Sequence, residues 1–119
     1  QWSSSAASDV YKRQITNSRE FTINVGKIAE AEKWLSEGAD LWKEITGKDA
    51  VIYKEGWGDQ YKMLFVTTYE SMGETEEVGE KLMTDKRVTD WFEYGMTNGD
   101  LISGAVDRFF TTIKDTRED

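Results

Sequence analysis

The side chains that could do chemistry in this sequence are carboxylates, amides, tyrosines and arginines, because its 119 residues include neither histidine nor cysteine. That absence excludes Ser-His-Asp catalysis, histidine-ligated zinc, haem held by a proximal histidine and a cysteine nucleophile. A metal site would need carboxylates alone. The acidic group Glu74, Glu76, Glu77 and Glu80 has helical spacing that is typical of a solvated helix face. We therefore expect neither a metal nor another cofactor.

Aromatic side chains are the next candidates, because 13% of the residues are aromatic. A tyrosine hydroxyl can donate or accept a proton, and a tryptophan ring can stack on a planar substrate. We predict that one of two tyrosines, Tyr53 or Tyr61, handles the proton in a catalytic site. Three further residues are predicted to bind substrate: Trp57, Trp91 and Tyr94. The alternative for each is that it fills the core or a dimer seam.

Two charged residues, Asp107 and Arg108, stand in the middle of an apolar, strand-like segment. A charge in such a segment must be exposed, paired or functional. Arg108 could hold a substrate carboxylate or oxyanion, and the alternatives are a salt bridge or a position at the sheet edge. Adjacent strand residues face opposite sides of a sheet, so the two charges are not expected to share a site.

The elements that would position these residues follow the order β-α-β-β-α-β. Alternating apolar residues predict strands at 20–25, 50–57, 60–69 and 101–113. An apolar stripe predicts a helix at 27–46, and a second helical region opens at Ser71 and breaks near Thr84 and Asp85. This order defines a ferredoxin-like α+β fold, an antiparallel sheet with helices on one face. The strand at 60–69 carries apolar residues on both faces, which indicates that both faces are covered.

The net charge of the chain limits the classes of partner that it can bind. With 23 acidic and 15 basic residues, the net charge is −8, which disfavours nucleic acid and anionic membrane surfaces. No apolar run is long enough to cross a membrane, and we expect a cytoplasmic protein. The chain starts at Gln1 and its first methionine is Met63. Residues 1–14 resemble translated sequencing-adapter read-through, so we expect a non-native or disordered tail there, one domain at 15–114 and a charged tail at 115–119.

Three segments give the sequence a resemblance to a known superfamily. The first is a strand, Gly26 and a long helix ending at Gly47. The second is a glycine-containing hairpin followed by the run from Phe65 to Ser71, and the third is the run from Asp85 to Phe92. Together they resemble the dimeric α/β-barrel superfamily, which includes NIPSNAP-like proteins and cofactor-independent antibiotic-biosynthesis monooxygenases. The resemblance implies a homodimer in which two sheets pack face to face. Members of this superfamily include both enzymes and proteins of no known activity, so the resemblance does not imply one function.

The resemblance also gives Asn24 a role. In some cofactor-independent monooxygenases an asparagine on the first strand faces the substrate cleft, where its amide could steady an enolate-like oxyanion. We therefore expect Asn24 and Arg108 to steady a substrate anion on a small aromatic or polyketide-like ligand. The alternative for Asn24 is a cap on the strand–helix turn. The haem-degrading branch uses a histidine ligand that this chain lacks.

A second hypothesis is a non-catalytic assembly module that uses the sheet face for self-association. A cavity lined by Asn24, a tyrosine and Arg108 would favour the enzyme, and a core filled solid by aromatic rings would favour the module.

Overall fold

In the computed structural model, which describes residues 14–117, a four-stranded antiparallel sheet has the strand order β2-β3-β1-β4. The chain runs through β1 (Ile15–Ile23), α1 (Ile28–Thr46), β2 (Ala50–Lys54), β3 (Lys62–Tyr69), α2 (Met72–Met83), α3 (Lys86–Glu93), a π-helical turn (Tyr94–Asn98) and β4 (Ile102–Thr111). Both the element order and the strand order are those of the ferredoxin-like fold, so the predicted fold class is confirmed. Within residues 14–117, no helix combines the length and apolarity needed to cross a membrane.

Strand β1 differs from its predicted bounds at both ends. It begins five residues earlier, at Ile15, because Ile15 pairs with Tyr69 on one side and Thr111 on the other. Two neighbouring strands therefore hold the polar stretch 16–20 extended without an apolar alternation of its own. The strand also ends at Ile23, and Val25 lies in the following turn with 82% of its surface exposed. Asn24 is consequently a turn residue, whereas we had expected it within the strand.

The helix boundaries follow the capping signals. The Ser71 hydroxyl accepts a hydrogen bond from the Glu74 backbone N–H at 3.1 Å, which starts α2. The Asp85 carboxylate accepts from the Arg87 backbone N–H at 3.0 Å, which starts α3 and produces the predicted break. Gly47 ends α1 in a left-handed conformation with φ 74°.

The core lies between the helices and one side of the sheet, which we call the helix face. Phe21, Ile23, Met63 and Phe65 contribute its buried sheet residues, and Leu35 packs on them from α1. Because side chains alternate along a strand, two polar residues of β1 lie on this same face as Phe21, namely Asn17 and Arg19.

A reciprocal tryptophan pair joins α1 to α3. The rings of Trp34 and Trp91 stack with centroids 4.2 Å apart and planes within 10°. Each indole N–H donates to the backbone carbonyl of the other tryptophan, at 2.9 and 2.8 Å. Gly38 and Gly95 lie one turn after the two tryptophans, and a Cβ at either position would overlap the ring from the opposite helix. The pair therefore fixes α3 against α1.

The other side of the sheet, which we call the open face, is not covered by any helix or strand among the described residues. Strands β2, β3 and β4 contribute apolar side chains to it: Val51, Tyr53, Leu64, Val66, Val106 and Phe110. Four of these residues have about half of their surface exposed: Val51, Tyr53, Val106 and Phe110.

Candidate functional site

A cavity of about 700 Å³ lies between the helix face of the sheet and the helices α1–α3. Its volume falls within the range of roughly 300–1,000 Å³ that small-molecule sites occupy. Aromatic rings form much of its wall: Phe21, Trp42, Phe65, Trp91, Phe92 and Phe109. The aromatic residues thus frame a space instead of filling the core solid.

An ion pair lies on the sheet side of the cavity. Arg19 on β1 and Asp107 on β4 are direct cross-strand partners, and both line the cavity. Arg19 Nε donates to Asp107 Oδ1 at 2.7 Å, and Nη2 donates to Oδ2 at 2.9 Å. Such a two-pronged contact fixes the plane of the guanidinium as well as its position.

The surroundings of Asp107 keep it ionised. Its hydrogen bonds from Arg19 lower the pKa of the carboxyl, and this effect outweighs the opposing effect of partial burial. The adjacent Asn17 amide lowers the same pKa further. At neutral pH the pair is therefore a cation and an anion held side by side at the cavity wall.

The pair leaves hydrogen-bonding capacity unused. Among the described residues, Arg19 Nη1 and the second N–H of Nη2 have no hydrogen-bond acceptor. Each oxygen of a carboxylate can accept more than one hydrogen bond, so Asp107 retains acceptor sites beside the unused N–H of Nη2. The ring of Phe92 lies 6.0 Å from Arg19 Cζ, close enough for a cation–π contact.

Tyr69 forms another polar part of the cavity wall. It is 6% exposed, and burial raises the pKa of its hydroxyl, so the phenol is neutral at physiological pH. Lys48 lies 5.9 Å above the ring and pairs with Glu74 at 2.9 Å. This ion pair ties the start of α2 to the loop after α1, beside Tyr69.

Trp42 lines the cavity and carries an unsatisfied donor. Its indole Nε1 is buried and finds no acceptor among residues 14–117. A buried donor without a partner costs about 1–3 kcal/mol, and a molecule in the cavity could accept its hydrogen bond only after the side chains that cover Nε1 had moved.

Flexible side chains line the exposed side of the cavity. Met83 at the end of α2 and Met96 in the π-helical turn are 71% and 52% exposed. Methionine adapts its shape to irregular apolar ligands. A π-helical turn also departs from regular helix geometry and is often found at functional sites.

Of the seven residues predicted as site residues, Trp91 lines this cavity. Tyr94 lines a separate cleft of about 480 Å³ beside Trp34 and Glu37. Trp57 is 96% exposed in the β2–β3 loop. Its role in substrate binding stays a prediction, as does that of Tyr94.

The four predicted catalytic residues do not converge on the cavity. Asn24 lies in the strand–helix turn, where its amide donates to the Asp100 backbone carbonyl at 2.9 Å. Tyr53 and Arg108 lie on the open face in the two edge strands, and Arg108 pairs with Glu20 at 3.4 Å. Tyr61 immediately precedes β3. Their catalytic roles therefore remain untested predictions.

Asn24 and Arg108, which we expected in the wall of such a cavity, do not line it; the asparagine, tyrosine and arginine in its wall are Asn17, Tyr69 and Arg19. Arg19 stands two residues before Phe21 and so has the same strand phase, which is a signal in the sequence. The apolar alternation places the start of the strand at residue 20 and so leaves Arg19 outside the predicted sheet. The sequence marks Asp107 as a charge within a strand, but no local pattern identifies Arg19 as its partner.

Comparison with known proteins supports the fold. A NIPSNAP family protein from Agrobacterium tumefaciens is 22% identical and superposes with a TM-score of 0.71, covering 89% of this chain and 90% of its own. Another from the same organism, described as having unknown function, gives 18% identity and a TM-score of 0.76, covering 92% and 96%. A mutant of SnoaB, a cofactor-independent oxygenase from Streptomyces nogalater, gives 12% and 0.65, covering 88% and 98%.

At these identities the likeness establishes the fold. It confirms the predicted resemblance to NIPSNAP-like and monooxygenase-like structures. No protein-family model matches the sequence, and no curated protein matches it significantly.

Proposed function

We propose that this protein is a homodimeric small-molecule-binding protein of the dimeric α/β-barrel type, and that it binds a planar, largely apolar molecule in the cavity between the sheet and the helices. The observation that carries this proposal is the cavity of about 700 Å³, with aromatic walls and one ion pair, Arg19–Asp107. Ligand pockets combine mostly apolar walls with a few fixed polar groups in this way.

Blocking the cavity from α2 tests the proposal. Gly79 lines the cavity, and a Cβ at this position would meet no atom within 4 Å. Leucine at 79 would therefore extend into the space without displacing the helix. We expect wild type to bind the neutral fluorescent probe N-phenyl-1-naphthylamine at one saturable site per chain, and Gly79→Leu to weaken that binding at least ten-fold.

Gly73→Leu is the matched control. Gly73 belongs to the same helix but is exposed and does not line the cavity, so this variant should bind the probe like wild type. Equal affinity in both variants would locate the probe elsewhere and overturn the proposal.

The homodimer is supported by the open face. Isolated apolar side chains are common on monomer surfaces, whereas a group of half-exposed apolar residues on one sheet face is typical of an interface. A second copy packed sheet to sheet would cover these side chains. The alternative of a purely structural assembly module also uses this face, but it gives no reason for an open cavity on the other side.

Cofactor-independent oxygenation of an aromatic or polyketide-like substrate is a second candidate function, favoured by the free Arg19 donor beside the Asp107 carboxylate. Asp107 would accept a proton from an acidic CH₂ group while Arg19 donated to the resulting enolate oxygen. The enolate would then give electrons to dioxygen, so that CH₂ and O₂ become C=O and H₂O. Anthrone oxidation with stoichiometric oxygen uptake tests this. A rate that Asp107→Asn leaves unchanged would exclude the mechanism.

A further inference from the structure

The charges that line the cavity set which ligands it accepts. Three charged side chains lie in its wall among the described residues: Arg19, Asp107 and Glu93. Their formal charges sum to −1, and the chain as a whole carries −8. The one cation already contacts Asp107 through two hydrogen bonds, so a bound anion would meet an arginine whose charge is largely neutralised.

The same pair presents a donor beside an acceptor. Among the described residues, the second N–H of Arg19 Nη2 meets no acceptor, and Asp107 Oδ2 beside it retains acceptor capacity. A ligand group that accepts with one atom and donates with its neighbour can complete both hydrogen bonds. A carboxylate can satisfy only the arginine, and it would place a second negative charge beside Asp107.

We infer that the cavity selects a neutral aromatic molecule carrying an adjacent hydrogen-bond acceptor and donor, the simplest being a primary aromatic carboxamide, over the corresponding carboxylate. The inference rests on the proposed function, because it describes the ligand of the same cavity. It also differs from the anion-holding role that we predicted for Arg108, since Arg19 acts with its carboxylate partner instead of as an isolated cation.

The test compares two ligands of nearly the same shape, 2-naphthamide and 2-naphthoate, as competitors of bound N-phenyl-1-naphthylamine at pH 7 and constant ionic strength. In wild type we expect the amide to displace the probe at a concentration at least five-fold lower than the carboxylate. Asp107→Asn removes the negative charge and leaves Arg19 unopposed. That variant should reverse the preference, with naphthoate gaining at least ten-fold.

Asp49→Asn is the matched control, because it makes the same chemical change at an exposed carboxylate that pairs with Lys43 outside the cavity. It should retain the wild-type preference. Glu93→Gln provides a second variant at an exposed position of the cavity wall, and it should improve naphthoate binding several-fold. This variant tests the charge argument even if Asp107→Asn does not fold.

The outcomes separate the two proposals. Tighter binding of naphthoate to wild type would overturn the inference while leaving small-molecule binding intact, because both competitors would displace the probe. Displacement by neither competitor, with the probe bound at the site that Gly79→Leu blocks, would also overturn the inference alone. Failure of the probe itself to bind would overturn the proposed function, and the inference with it.

Discussion

At the scale of single residues, the Arg19–Asp107 pair matters more for binding than for stability. Each side chain retains 40% of its exposure. Partly exposed ion pairs contribute at most about 1 kcal/mol, because water screens the attraction and ordering two side chains costs entropy. The same pair fixes a hydrogen-bond donor and an acceptor at the cavity wall, where a bound ligand could form hydrogen bonds with both.

The pH dependence of stability tests the state of Asp107. Its pKa in the folded protein lies below the ordinary value of 3.8, so its contribution is present above that value and is lost as pH falls through the folded pKa. We expect Asp107→Asn to lower the free energy of unfolding by up to about 1 kcal/mol at pH 7. The difference from wild type should shrink below about pH 4. Urea denaturation at pH 7 and pH 3 measures it, and a constant difference would contradict the assignment.

At the scale of elements, the reciprocal tryptophan pair that joins α1 to α3 forms one boundary of the cavity. Trp91 packs on Gly38 of α1, and both residues also line the cavity. Trp34 packs on Gly95 in the π-helical turn that follows α3. Helix α2, in contrast, buries one residue, Leu82. The space therefore lies between a firmly attached pair of helices and a more loosely attached one.

Gly38→Ala tests the packing of the tryptophan pair against α1. Helix propensity alone would make alanine more stable than glycine by about 1 kcal/mol. Here the new methyl would overlap the Trp91 ring, so we expect destabilisation of about 1–3 kcal/mol. Gly79→Ala is the control, because its Cβ meets nothing within 4 Å and should stabilise α2. Thermal and urea unfolding compare the two, and a stabilised Gly38→Ala would show that the ring is not held where we describe it.

Elements with strong local signals were predicted well, and those defined by their partners were not. The apolar stripe of α1 and the capping residues Ser71 and Asp85 are properties of short segments, so the sequence reveals them. The start of β1 depends on pairing with two distant strands, and the polar residues 16–20 carry no signal of their own. The cavity likewise depends on how far the helices stand from the sheet, which no local pattern encodes.

At the scale of the whole molecule, the open face is the remaining unexplained surface. The half-exposed positions include Val106 near the middle of β4 and Phe110 toward its end, on the side of the sheet opposite the helices. The sequence predicted that both faces are covered, and the described elements cover only one. A second copy would meet that expectation without any change in fold.

The mass of the protein in solution shows directly whether a second copy covers the open face. We expect light scattering after size exclusion to give a dimer for wild type. Val106→Glu should yield a monomer, because Val106 stands opposite Glu20 on the open face and its replacement would bury like charges in the interface. Val25→Glu is the control: it places the same charge at a turn residue that is 82% exposed, and this variant should remain dimeric. A wild-type monomer would contradict the homodimer.

The cavity as the ligand site is the central claim, and the four methionines of the chain test it most directly. With selective ¹³C labelling of the methionine methyl groups, addition of 2-naphthamide should shift the signals of Met83 and Met96, which line the cavity. The signal of Met72, which is 54% exposed but lies outside the cavity wall, should stay unchanged. A titration that shifts Met72 while Met83 and Met96 stay in place would contradict the claim.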